Sequence, residues 1–141
     1  MRVVGIDLGT RRVGVAVSDD RGMVAAPHTV LQRTGDADAD RAALTALVRE
    51  LGAARVVVGL PLSLDGTVGP AARWAGEEAD ALAATLEVPL ELHDERLSTV
   101  TALRRPPGDR RAGRRRRPVD DEAAAVMLQS WLDGHRPEPR G

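Results

Sequence analysis

Three acidic positions far apart along the chain stand where a carboxylate needs a chemical reason. Asp7 lies between Ile6 and Leu8 inside an apolar run, where an unpaired charge is costly to bury. Asp94 and Glu95 close a second apolar segment that begins at Val88. Asp120 opens a third, helical in period. At 100° per residue Ala124, Met127, Leu128 and Trp131 all fall within roughly 80° of Asp120. Asp121 sits at the edge of that apolar stripe and Glu122 faces away. A helix that needed only negative charge at its N-terminus would turn all three acids to water. One acid aimed inward needs a partner inside, and a metal shared with Asp7 would be one.

Such a set suits phosphodiester hydrolysis. The reaction needs an activated water and a stabilised leaving oxygen, and two divalent ions about 3.5–4 Å apart can serve both. Hard cations such as Mg²⁺ or Mn²⁺ take oxygen ligands. His28, His93 and His135 lack metal-ligand spacing and are left out of the ligand set, with His93 a candidate helper. Strand parity does not choose between Asp94 and Glu95. Asp94 shares a face with Leu90 and Leu92, and Glu95 shares one with Glu91 and His93. Simpler roles compete: Asp7 could cap the Gly9-Thr10 turn, Asp120 could bond first-turn N–H groups, and either acid at 94–95 could pair with Arg96.

Charge points to the same class of substrate. Between Arg104 and Arg117 eight arginines face one acid, Asp109, a local +7 that leaves −8 on the rest of a chain whose formal total is −1. A basic block on an acidic body fits contact with a phosphate backbone. Arg11, Arg12, Arg96, Arg114, Arg115, Arg116 and Arg117 are the expected nucleic-acid contacts. Trp74 and Trp131 are the only aromatic residues besides histidine, so single-strand binders that stack bases on aromatic platforms are nearly excluded. The chain has no cysteine, which rules out thiol catalysis, disulfides and cysteine zinc sites. No run approaches a membrane span and no secretory signal pattern opens the chain. A soluble cytoplasmic protein is expected.

The elements that would position the acids follow from period and punctuation. Residues 2–8, 13–18 and 23–31 read as three strands with turns at Gly9 and Gly22. Leu44, Leu47, Val48 and Leu51 mark an amphipathic helix, capped at Asp36 or Asp38 and closed by Gly52. Residues 55–59 form a fourth strand, Pro70 starts a second helix with Ala75, Ala79, Leu82 and Leu86 inward, and residues 88–94 form a fifth strand. Ser98 can cap a short helix that Pro106-Pro107 must end, and a last helix runs from about 119 to 133. The expected fold is α/β: a mixed five-stranded sheet flanked by helices, with one domain over 1–134 and a disordered tail over 135–141.

With these residues in view, the chain resembles the YqgF/RuvX family of pre-16S rRNA nucleases and Holliday-junction-resolvase-like proteins. Four segments carry the resemblance: Gly5-Ile6-Asp7-Leu8-Gly9-Thr10-Arg11-Arg12-Val13-Gly14; Val58-Gly59-Leu60-Pro61 with Asp65-Gly66-Thr67; Asp94-Glu95-Arg96-Leu97-Ser98-Thr99; and Val119-Asp120 with Ala123-Ala124 and Leu128-Gln129. The resemblance implies an RNase H-like fold and a Mg²⁺-dependent nuclease acting on the 5′ end of the 16S rRNA precursor. It maps catalytic and metal-binding acids onto Asp7, Glu95 and Asp120, which selects Glu95 over Asp94. The chain departs from the family's pattern at Pro106-Pro107-Gly108, which interrupts a helix, and in using arginine throughout its basic stretch.

Other functions share parts of this pattern. A DNA junction resolvase would use the same acids. An ATP-binding module of the actin, Hsp70 and sugar-kinase class also begins Gly-Ile-Asp-Leu-Gly-Thr between two strands, but needs a second domain for which 141 residues leave no room. A non-catalytic nucleic-acid-binding domain would have no use for an inward Asp120. The expected partners are a structured RNA precursor or branched DNA, with the ribosome as a further candidate and no membrane. Monomer and homodimer both remain open.

Overall fold

The computed structural model describes residues 1–61, 65–94 and 119–135, the last stretch with backbone alone at 119–121. Five strands, β1 (Val3–Leu8), β2 (Arg12–Ser18), β3 (Ala25–Gln32), β4 (Arg55–Leu60) and β5 (Leu90–Asp94), form one sheet in the order β3-β2-β1-β4-β5. β1 to β3 form an antiparallel meander, while β1, β4 and β5 run parallel. The described helices are α1 (Ala37–Leu51), α2 (Pro70–Ala83) and α3 (Val119–Gly134). This is the expected mixed five-stranded sheet with β1 at its centre. The expected helix at Ser98 and residues 136–141 lie outside the described residues.

β1 is buried from Val3 to Ile6 without alternation because helices cover both faces of the sheet. On one face Val4, Ile6, Val13, Val15, Val56 and Val58 pack against Leu44 and Val48 of α1 and Ala79 and Leu82 of α2. On the other, Val3, Ala16 and Val57 pack against Ala124, Met127, Leu128, Trp131 and Leu132 of α3. The α3 stripe is therefore the one its period predicts, extended by Leu132. In α2, Ala72 joins Ala75, Ala79 and Leu82 inside. Leu86 lies past the helix end and packs on the same core.

The helix ends follow local chemistry. Asp36 caps α1, accepting from the amides of Asp38 and Ala39 at 3.1 Å, and Gly52 ends it at φ 67°. Asp38 does not cap; it pairs with Arg41. Pro70 takes the first turn of α2, where its missing N–H costs nothing. β3 is an edge strand, and its register steps from Thr29 to Pro27 opposite Val15 and Ala16, leaving His28 unopposed. A bulge and a proline at the edge blunt pairing with other chains. His135, which sequence pattern assigns to the tail, is held to α3. Its ring stacks on Trp131 at 4.0 Å, and its Nδ1 lies 2.8 Å from the Trp131 carbonyl.

Candidate functional site

Asp7 is the penultimate residue of β1, half-buried, on the face that α3 covers. Alternation fixes that face. Val3 packs under α3, and Gly5 meets it so closely that a Cβ there would stand 2.7 Å from the Cβ of Leu128. Asp7 is next in that row. Its partner on β2 is Gly14. On β4 the pairing with β1 runs up to Ile6 with Val58, so the next residue along is Gly59, which pairs with His93 of β5. Glycines thus flank Asp7 on both neighbouring strands, and neither puts a side chain beside its carboxylate. A hard cation with its retained water needs that room beside its oxygen ligand.

The direction of α3 is set by contacts in its second half. Gln129 reaches the start of β3, accepting from the Ala25 amide at 2.8 Å and donating to the Met23 carbonyl at 3.0 Å. Trp131 Nε1 donates to Glu91 at 3.0 Å, and Ser130 Oγ lies 3.1 Å from His93 Nε2. Ala25 pairs with Ser18 and so lies level with the start of β1, and Glu91, level with Gly5, lies farther from the Asp7 end than His93 does. The helix therefore runs antiparallel to β1, with its first turn toward the end that carries Asp7. From Leu128, seated on Gly5, the backbone of Asp120 lies eight residues or about 12 Å along the helix in that direction. Asp120 begins the buried stripe in sequence, and its side chain lies outside the described residues.

The loops that carry the recognisable motifs leave the sheet at the same end. The turn after β1 is tight: the Gly9 amide donates to the Arg12 carbonyl at 3.0 Å, and a Cβ on Gly9 would stand 2.5 Å from that oxygen. Only glycine fits. This turn presents Arg11 and Arg12, both exposed, beside Asp7. After β4, Asp65 Oδ1 accepts from the Thr67 amide and hydroxyl at 3.0 and 2.7 Å, with Gly66 at φ 88°. Chemistry in parallel sheets gathers at these carboxyl ends.

In β5, Glu91 and His93 share the α3 face, as their bonds to Trp131 and Ser130 require. Burial lowers the His93 pKa from the ordinary histidine value, with His135 adding to that while Asp94 and Glu91 oppose it. Glu95 follows Asp94 directly in the sequence and lies outside the described residues. So do five of the seven expected nucleic-acid contacts: Arg96, Arg114, Arg115, Arg116 and Arg117. The structure therefore places only Arg11 and Arg12 of that set. Among the described residues no three histidine or acidic side chains converge as a metal cluster.

Sequence reasoning missed Arg33. It sits between Gln32 and Thr34 after β3, is only 15% exposed, and bonds both the Gly9 carbonyl and Glu78. Nothing local marks it, because its partners come from the first turn and from α2.

A five-stranded mixed sheet with an acid at the end of its central strand and a helix laid antiparallel over that strand defines the RNase H-like class. The fold likeness is measurable. RuvC of Thermus thermophilus in complex with a Holliday junction substrate superposes with a TM-score of 0.66 at 14% identity, covering 96% of this chain and 95% of that one. A second Thermus thermophilus RuvC structure gives 0.62 at 16% identity. The family model described as RuvX, Holliday junction resolvase, matches residues 1–134. Relatives bearing the provisional name pre-16S rRNA nuclease include one from Myxococcus xanthus, 49% identical over 97% of this chain and 91% of its own length. One from Anaeromyxobacter dehalogenans is 47% identical over 97% of this chain and all of its own. The chain belongs to the RuvX family, a family of nucleases. No helix among the described residues is long and apolar enough to cross a membrane.

Proposed function

We propose that this protein is a divalent-metal-dependent nuclease that processes the 5′ end of the 16S rRNA precursor, with Asp7, Glu95 and Asp120 as its catalytic carboxylates. The observation that carries the reading is the placement of Asp7. It stands at the carboxyl end of the central strand, flanked by glycines, on the face over which α3 runs with its Asp120 end in the same direction. Those three carboxylates would hold the ion, and their all-oxygen chemistry fits Mg²⁺ or Mn²⁺. A bound divalent ion would neutralise charge at the scissile phosphate and ease deprotonation of water.

The chain's own residues do the rest. Arg11 and Arg12, on the turn beside Asp7, hold the phosphate backbone near the acids. Arg96 and the run Arg114, Arg115, Arg116 and Arg117 extend that grip as a cluster of like charges. The scarcity of aromatic side chains means that grip is made to phosphates and shape, not to stacked bases. His93 stays neutral near pH 7, since burial holds its pKa down, so it adds no positive charge to the row that it shares with Gly59. Precursor RNA is favoured over a DNA junction because relatives at 40–49% identity carry the rRNA name, whereas the junction-bound neighbour is only 14% identical. One folded unit over 1–134 is proposed to suffice.

The test is cleavage by the purified protein with Mg²⁺ or Mn²⁺. A structured RNA bearing the precursor 5′ extension is compared with a four-way DNA junction. The expectation is cut RNA, no product in EDTA, and none from Asp7→Asn although that variant still binds the RNA. Undiminished cutting by Asp7→Asn would overturn the catalytic assignment. Preferential cutting of the junction would move the substrate to DNA.

A further inference from the structure

Arg33 ties the β1–β2 turn to α2. Its backbone N–H donates to the Arg11 carbonyl at 2.9 Å and its Nε to the Gly9 carbonyl at 2.6 Å. Its Nη1 donates to Glu78 of α2 at 3.1 Å, and its guanidinium lies 5.1 Å from the centre of the Trp74 ring, also on α2. Both ends of the β1–β2 turn are therefore tied to one residue, which is itself tied to a helix. The arrangement is expensive. Arg33 is 15% and Glu78 24% exposed, and Nη2 is buried with no acceptor among the described residues. A part-buried ion pair loses much of its Coulombic gain to desolvation, so stability alone is a weak reason for an arginine here.

We propose that Arg33 is a positioning residue for the nuclease centre, clamping the Gly9–Arg12 turn to α2 so that Asp7, Arg11 and Arg12 keep a fixed mutual geometry. The turn calls for such a clamp because it departs from Asp7 within two residues and carries two exposed cations. A bond to the Gly9 carbonyl and another to the Arg11 carbonyl fix the 9–10 and 11–12 peptide planes, between which Thr10 and Arg11 lie. Glu78 and Trp74 in turn fix the guanidinium, so motion of α2 is felt at the turn. Lysine could keep the charge beside Trp74 and Glu78, but it lacks the planar fork that serves Gly9 and Glu78 together.

The inference rests on the nuclease reading for its catalytic part, and the test separates the two. Arg33→Met and Arg33→Lys are compared with the wild type well below their melting temperatures. The measurements are kcat and KM on the RNA precursor, RNA affinity in EDTA, and the ¹⁵N shift of Thr10, whose amide shares a peptide with the Gly9 carbonyl. The expectation for Arg33→Met is a kcat lower by about tenfold, as for small misplacements of reacting groups, several-fold weaker RNA affinity in EDTA, and a moved Thr10 signal. Arg33→Lys should recover part of each. Should Arg33→Met not fold, Glu78→Gln takes its place, with a smaller loss in the same direction. Unchanged kcat and unchanged EDTA affinity in folded variants would reduce Arg33 to a structural pin and overturn the proposal. If the wild type itself cuts nothing, the nuclease reading fails, and the EDTA affinities still decide whether Arg33 sets the geometry of Arg11 and Arg12.

Discussion

Gly5→Ala should damage this protein far more than one methyl group suggests. A Cβ at position 5 would lie 2.7 Å from Leu128 Cβ, 3.3 Å from its Cγ and 3.4 Å from its Cδ1. An ordinary carbon contact is about 3.5–4.0 Å, so α3 must lift by roughly 1 Å or slide. The nearest atom is a Cβ, held by the helix backbone, so no rotamer change of Leu128 relieves the clash. Overpacking of this kind costs about 1–3 kcal/mol, or roughly 3–10 °C of melting temperature for a domain of this size. The same lift moves the start of α3 away from Asp7, and a displacement near 1 Å can cost on the order of a hundredfold in rate. Thermal melts and cleavage of the RNA precursor by the folded variant measure the two effects. Leu128→Ala added to Gly5→Ala should give no rescue, because it leaves the offending Cβ in place and opens a cavity. A Gly5→Ala variant with wild-type melting and rate would refute the seating of α3 on β1. Reduced melting with a full rate would show instead that the spacing between α3 and Asp7 does not govern the chemistry.

Two further outcomes follow from α3 and its partners. Gln129→Ala removes the acceptor of the part-buried Ala25 amide and the donor to the Met23 carbonyl, so stability should fall by about 1–3 kcal/mol in urea unfolding; a loss below a few tenths would mean that water replaces the side chain at no cost. The lowered pKa of His93, set first by burial, implies that the unfolded chain takes up a proton below about pH 6.5 that the folded chain refuses. That part of the stability is therefore complete above pH 6.5 and declines as the pH falls toward the folded value. Denaturant unfolding in EDTA at pH 7.5 and 5.5 should show the decline in the wild type and less of it in His93→Gln, and an equal slope in both would rule out His93 as its source.

Much of the frame was legible because it is local. Asp36 and Gly52 bracket α1, Pro70 starts α2, and the alternating or continuous apolar runs give each strand, because capping, turn and period chemistry act within a few residues. The inward stripe of α3 was legible for the same reason, and its period alone singles out Asp120. The run of three strands before the first helix already required a meander, and the later alternation of helix and strand required parallel pairs.

Distance along the chain hid the rest. No pattern near residue 33 says that its guanidinium will meet the carbonyl of Gly9 and the carboxylate of Glu78. None near residue 91 says that Glu91 will accept from Trp131 while pairing with Arg55 at 3.2 Å. His135 reads as the start of a loose tail, yet stacking on Trp131 keeps it on the helix. The amino-acid sequence alone determined which residues carry carboxylates and cations, where the described strands lie to within one or two residues, and which helical face is apolar, while Leu86, expected in α2, falls beyond its end at Ala83. Only the tertiary structure decided that α3 lies antiparallel on β1, that Gly5 is the point where it touches, and that Arg33 grips the turn beside Asp7. The physical reason is that periodicity and capping are written by neighbours within one or two turns, whereas seating and clamping depend on which distant surfaces close-pack.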